Sequence, residues 1–168
     1  DTFFKENEKQ YISHSLYNSY KFINRIVKWF SLFGHELSTT IPGKFEKSFV
    51  YTNWLTSQSP QFDKLDPYSK LRKDTNHIVS SIHQLKPRII FFFSKNMMFA
   101  INEEDVYEQV KSVFGGKKVL IELSNRPEIK RTSFKKFKIY KQEYENCTII
   151  SLPHPTGSKG LCNDYIKL

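Results

Sequence analysis

Ile89-Ile90-Phe91-Phe92-Phe93 places five apolar residues in a row between Pro87 and the polar Ser94-Lys95-Asn96. A run this short with no polar residue in it offers no solvent face, so it predicts a central strand covered on both sides, as in a parallel sheet. It follows directly on Ile78, Val79, Ile82 and Leu85, whose spacing predicts an amphipathic helix stopped by Pro87. The succession then repeats: a helix around Glu104 to Val113 closes at Gly115-Gly116, and Val119 to Leu123 predicts another buried strand. Cys147 to Leu152 supplies the last apolar strand, with a closing helix near Leu161. Upstream, Leu16, Phe22, Ile23, Ile26, Trp29, Phe30 and Phe33 predict a helix from Ser15 to Gly34, and the β-branched and aromatic residues from Phe49 to Leu55 predict a strand at about 48–53. Thr56 to Tyr68, holding Pro60 and Pro67, favours an irregular surface loop. Strands separated by helical patterns predict an α/β fold, here a three-layer open sandwich with a mostly parallel central sheet flanked by helices.

From Ile129 to Gln142 the pattern changes, with Phe134, Phe137 and Ile139 mixed among Lys135, Lys136, Lys138 and Lys141. This reads as a basic edge strand or a hairpin. Taken alone, its lysines are better explained as keeping an exposed edge from pairing with other chains than as a dedicated binding surface.

Composition narrows the classes. The 168 residues include 26 Lys or Arg against 17 Asp or Glu, a net charge of +9, and the length suits one hydrophobic core and a single domain over 1–168. With 39% apolar residues and no apolar run of the ~20 residues a bilayer demands, neither a disordered chain nor a membrane span is expected. Cys147 and Cys162 form neither a CxxC pair nor a zinc-spaced cluster, which predicts a cytoplasmic or other reducing compartment and no metal. The chain opens on Asp1 without a signal-peptide pattern, and a further segment upstream is expected. His14, His35, His77 and His83 make no constellation, and a six-residue spacing keeps His77 and His83 off a common helix face. A Gly-x-Ser-x-Gly elbow, a P-loop and a dinucleotide fingerprint are all missing, which argues against a small-molecule α/β hydrolase or a nucleotide enzyme.

The segment Ile149-Ile150-Ser151-Leu152-Pro153-His154-Pro155-Thr156-Gly157-Ser158 carries the most chemistry. It is a hydrophobic strand emptying into a His-Pro turn, and open α/β sheets hold ligands where loops leave the carboxyl ends of strands. His154 can donate a hydrogen bond to developing negative charge, with Pro155 restricting its backbone to extended conformations. Thr156, Gly157, Ser158 and Gly160 can bring hydroxyls and N–H groups to a phosphate, with Lys159 as a point charge. By itself a His before Pro is more often a structural turn residue, and Asn53 a strand-end residue bonded to its own backbone.

The order of segments resembles the uracil-DNA glycosylase superfamily. Leu152-Pro153-His154-Pro155-Thr156-Gly157 is similar to that family's His-Pro-Ser-type loop after the final core strand. Val50-Tyr51-Thr52-Asn53 falls where the family ends a strand with the Asn that reads the flipped base. His77 to Phe93 resembles its helix, Leu-Lys-Pro turn and apolar strand, and Gly160 to Ile166 its terminal helix. Ser15-Leu16-Tyr17-Asn18-Ser19-Tyr20 resembles the entry into the family's first long helix, which sets Phe3 or Phe4 at the position of the aromatic that stacks on the extruded base. The resemblance covers most of the chain in order, through short motifs of which the His-Pro loop is the most specific.

The resemblance implies a cofactor-free DNA glycosylase that excises uracil or a modified pyrimidine. His154 would stabilise the departing base, Asn53 and Phe4 would bind it, and Pro155, Thr156, Gly157, Ser158 and Lys159 would contact DNA. It also implies that the family's first strand and its glycine-rich, water-activating motif lie upstream of Asp1 or are lacking. In the second case the chain would be a non-catalytic nucleic-acid-binding protein or complex subunit on the same fold. Asn53 suits base reading because its planar amide offers a donor and an acceptor together. Trp54 and Phe62, in or beside the next loop, would either meet DNA or pack.

Overall fold

A computed structural model describes residues 21–38, 49–50, 52–55, 67–123, 137–158, 161 and 163–166. These fall into two compact units, one of residues 21–38, 49–50, 52, 155–158, 161 and 163–166, the other of residues 53–55, 67–123 and 137–154.

In the first unit, helix α1 (Lys21–Leu32) buries Ile26 and Trp29, three residues apart on one face. It stops at Gly34, whose φ of 83° is open to glycine without strain. The His35 N–H reaches the Phe30 carbonyl at 2.9 Å and the Gly34 N–H reaches Ser31 at 3.0 Å, the paired bonds of a Schellman cap. Against α1 packs a single 3₁₀ turn (Asn163–Ile166), with Tyr165 and Ile166 buried. This turn stands where the sequence predicts a closing helix. The strand predicted at about 48–53 is reduced, among the described residues, to a single bridge at Val50. A β-branched and aromatic composition suits a pleated surface but becomes a strand only where a partner strand is available.

The second unit is α/β. Its helices are α2 (Pro67–Lys73), α3 (Thr75–Leu85), α4 (Lys95–Asn102) and α5 (Glu104–Phe114); its strands are β1 (Ile89–Phe92), β2 (Lys117–Glu122), β3 (Tyr140–Tyr144) and β4 (Thr148–Ser151). The sheet order is β1-β4-β3-β2. Only β1 and β4 are parallel, with Ile89 opposite Thr148 and Phe92 opposite Ser151, while β3 is antiparallel to both β4 and β2. The sheet is therefore mixed, which corrects the mostly parallel sheet predicted from the sequence. The cause is local: β3 and β4 are joined across Glu145-Asn146, a loop too short for the crossover that a parallel pair requires.

Other expectations change with it. Among the described strands β1 is terminal, not central, and Ile89 is exposed. All six residues of β2 are exposed, although Val119 to Leu123 predicts a buried strand. Of the basic segment predicted as an edge strand or hairpin, residues 129–136 lie outside the described residues; among the described strands β2 is terminal and β3 is interior, its Tyr140, Gln142 and Tyr144 buried. Helix α2 begins at Pro67, inside the segment predicted as loop, and α4 is a helix the periodicity did not signal. Ser94 caps α4 by accepting from the Asn96 N–H at 3.2 Å, and Met98, Ala100 and Ile101 are buried where α4 packs on β1 and β4. Helix α3 ends as predicted just before Pro87, with Lys86 in the left-handed region at φ 44°.

The turn after α5 is interlocked with the β3–β4 turn. The Asn146 N–H donates to Phe114 O at 2.8 Å, the Glu145 N–H to Gly116 O at 3.1 Å, and the Gly116 N–H to Glu145 Oε2 at 3.0 Å. Gly115, at φ 75°, lies so close that a Cβ there would stand 2.6 Å from Glu145 Oε2. No helix among the described residues is long and apolar enough to cross a membrane.

Candidate functional site

Because β1 and β4 are parallel, their carboxyl ends leave the sheet side by side. The Leu152 N–H continues the ladder to Phe92 O at 2.7 Å, so the pairing holds to the exit of both strands. On one side Ser94 then opens α4; on the other the chain runs through Leu152 and Pro153 to His154. This is the end of an α/β sheet at which ligands are held. Leu152 is buried and anchors the loop, while His154 is exposed. Partial burial of the imidazole still lowers its pKa from the ordinary value near 6.5, which favours the neutral form of the ring. Behind it, the Ser151 hydroxyl is fully buried and lacks a hydrogen-bond partner.

Past His154 the chain enters the first unit. There a cleft of about 350 Å³ is lined by Lys21, Asn24, Arg25 and Lys28 of α1, Pro155 and Thr156 of the loop, and Asn163 of the 3₁₀ turn. The four α1 residues fall at i, i+3, i+4 and i+7, which is one helix face. The lining holds three cations and no carboxylate. Each residue has a distinct part. Arg25 donates through its two terminal nitrogens to the Pro155 and Leu161 carbonyls, tying the loop to the helix. Asn163 accepts from the buried Trp29 indole N–H at 3.1 Å. Lys21 and Lys28 are exposed at either end, about 10 Å apart along the helix axis. Asn24 Oδ1 is buried without a hydrogen-bond partner. The arrangement suits an anion: two exposed ammonium groups flank a guanidinium already committed to holding the loop in place.

The residues singled out in the sequence separate accordingly. Pro155 and Thr156 line the basic cleft, Gly157 lies exposed in the same turn, and the Ser158 carbonyl accepts from the Leu161 N–H at 3.2 Å. His154 and Asn53 belong to the other unit, both are exposed, and neither is among the residues lining the cleft. Phe4, Lys159 and Phe62 lie outside the described residues. Trp54 is core: it is buried, its indole N–H donates to Leu71 O at 2.9 Å, and its ring meets Phe92 at 5.4 Å. Sequence reasoning missed Lys21, Arg25 and Lys28, although their spacing on the first helix was a readable signal. No group of three or more His, Cys, Asp or Glu side chains among the described residues is placed to hold a metal ion.

No family model, curated protein or solved structure matches this chain.

Proposed function

We propose that the protein is a DNA glycosylase that flips uracil or a modified pyrimidine out of the duplex and hydrolyses its N-glycosidic bond, on a three-layer sandwich of the uracil-DNA glycosylase type. The observation that carries the reading is the loop after β4. Within three residues it presents an exposed imidazole whose pKa is lowered by partial burial and then enters a cleft with three cations and no carboxylate. A base in a stack is out of reach of side chains, and extruding it costs a few kcal/mol. Contacts of Lys21, Lys28 and Thr156 with backbone phosphates would offset part of that cost. As the bond between the sugar and the base nitrogen breaks, its electron pair leaves with the base, and water adds to the sugar carbon and gives up a proton. His154 donating a ring N–H to the base oxygen would stabilise that charge. Asn53 would read the base edge and Phe4 would stack on it, with Gly157, Ser158 and Lys159 gripping the strand.

The composition of the cleft also favours a second reading, a DNA-binding protein without turnover, since cations alone bind phosphate and cleave nothing. Incubation with oligonucleotides carrying uracil or oxidised and alkylated pyrimidines separates the two. A glycosylase releases free base and leaves an abasic site; tight, salt-sensitive binding with no release from any of these substrates supports the second reading and overturns the first.

A further inference from the structure

Arg25 stands apart from the two lysines that share its helix face. An arginine in a basic cleft reads first as a phosphate ligand, because its planar fork matches phosphate oxygens. Here the fork is turned on the chain itself. One terminal nitrogen donates to the Pro155 carbonyl and the other to the Leu161 carbonyl, so a single side chain holds the loop with Thr156, Gly157 and Ser158 on both sides. Pro155 and Leu161 are buried, and a buried carbonyl left without a donor is costly.

The two ends of the loop differ in what else anchors them. Downstream, the Leu161 N–H donates to Ser158 O at 3.2 Å, and the Trp29 indole N–H holds Asn163 at 3.1 Å. Upstream, Pro155 has no N–H to give, so its carbonyl is the backbone group by which that end can be hydrogen-bonded. Arg25 takes that carbonyl, and the next residue back along the chain is His154.

We propose that Arg25 is a positioning residue, which clamps the His-Pro loop at both ends, fixes the peptide to which His154 is joined, and leaves the phosphates to Lys21 and Lys28. The consequence for base release rests on the glycosylase reading, whereas the clamp itself does not. The clamp requires a guanidinium. Its nitrogens lie in one rigid plane, so it meets two carbonyls with little entropy lost per bond, and an ammonium is a point charge on a flexible stem. Arg25→Lys therefore keeps the charge of the cleft and loses the fork, while Arg25→Ala loses both.

The test compares the full chain as wild type, Arg25→Lys and Arg25→Ala in three measurements. Amide hydrogen exchange, followed by mass spectrometry, should quicken over residues 156–158 in both variants while α1 stays protected, which separates a released loop from an unfolded chain. Guanidinium ion, and not sodium at equal ionic strength, should restore part of that protection in Arg25→Ala. The log–log salt slope of duplex binding should match wild type in Arg25→Ala, because no phosphate contact is lost. Single-turnover base release at saturating protein should slow by about ten- to a hundredfold in Arg25→Lys, the effect of misplacing a reacting group by about 1 Å. Unchanged exchange in the loop, a slope lowered by about 0.9 in Arg25→Ala, or release at the wild-type rate in Arg25→Lys would overturn the proposal. If wild type releases no base, the glycosylase reading fails, and the exchange and the slope still decide for or against the clamp.

Discussion

His154, Cys147 and Gly115 each respond to their surroundings in a way that one residue reports. Burial lowers the His154 pKa, so the unfolded chain takes up a proton first as the solution is acidified. Its contribution is therefore fully present above the unfolded value near 6.5 and is lost as pH falls from there through the lower folded value. NMR titration of the His154 ring should give a midpoint below 6.5, and a midpoint at or above it would remove the neutral donor from the proposed chemistry. Burial pushes the Cys147 thiol up to about 12, which predicts a sulfur inert to alkylation in the native protein and reactive once unfolded, readable by peptide mass mapping. Gly115→Ala would force a Cβ onto Glu145 at φ 75° and should cost about 1–3 kcal/mol in denaturant unfolding. The conspicuous glycines at Gly115-Gly116 were legible as a helix end; the reason for a glycine at Gly115 was not, because Glu145 is thirty residues away.

At the scale of elements, what the sequence revealed and what it hid follow one physical line. Helices α1, α3 and α5 were readable because each buries one face, and periodicity records that directly. Strands β1 and β4 were readable as strands from their apolar runs, but a run says nothing about which neighbour will pair. For that reason the position of β1 at one end of the described sheet, the exposure of β2 and the interior place of β3 all had to come from the fold. The His-Pro loop was visible as a loop, whereas its anchoring by Arg25 spans 130 residues and leaves no local trace. The Lys21 to Lys28 face of α1 should supply electrostatic affinity for DNA. Replacing either lysine by alanine is expected to weaken binding without regard to sequence and to reduce the log–log salt slope by about 0.9, measured by fluorescence anisotropy. An unchanged slope in the double replacement would take α1 out of the interface.

For the whole molecule, the proposed function divides labour between His154, which would act on the base, and the cleft lined by Lys21 and Lys28, which would hold the backbone. A net charge of +9 is consistent with a polyanionic partner, but charge alone would attract DNA without acting on it. Single-turnover base release from a uracil-containing duplex, measured alongside affinity for the same duplex, tests this division most directly. His154→Ala should slow release by about a hundredfold or more, as loss of one transition-state donor does elsewhere, and leave affinity nearly unchanged. Lys21→Ala with Lys28→Ala should lower affinity and leave release at saturating protein near the wild-type rate. Equal losses of affinity and release in both variants, or release indifferent to His154, would contradict it.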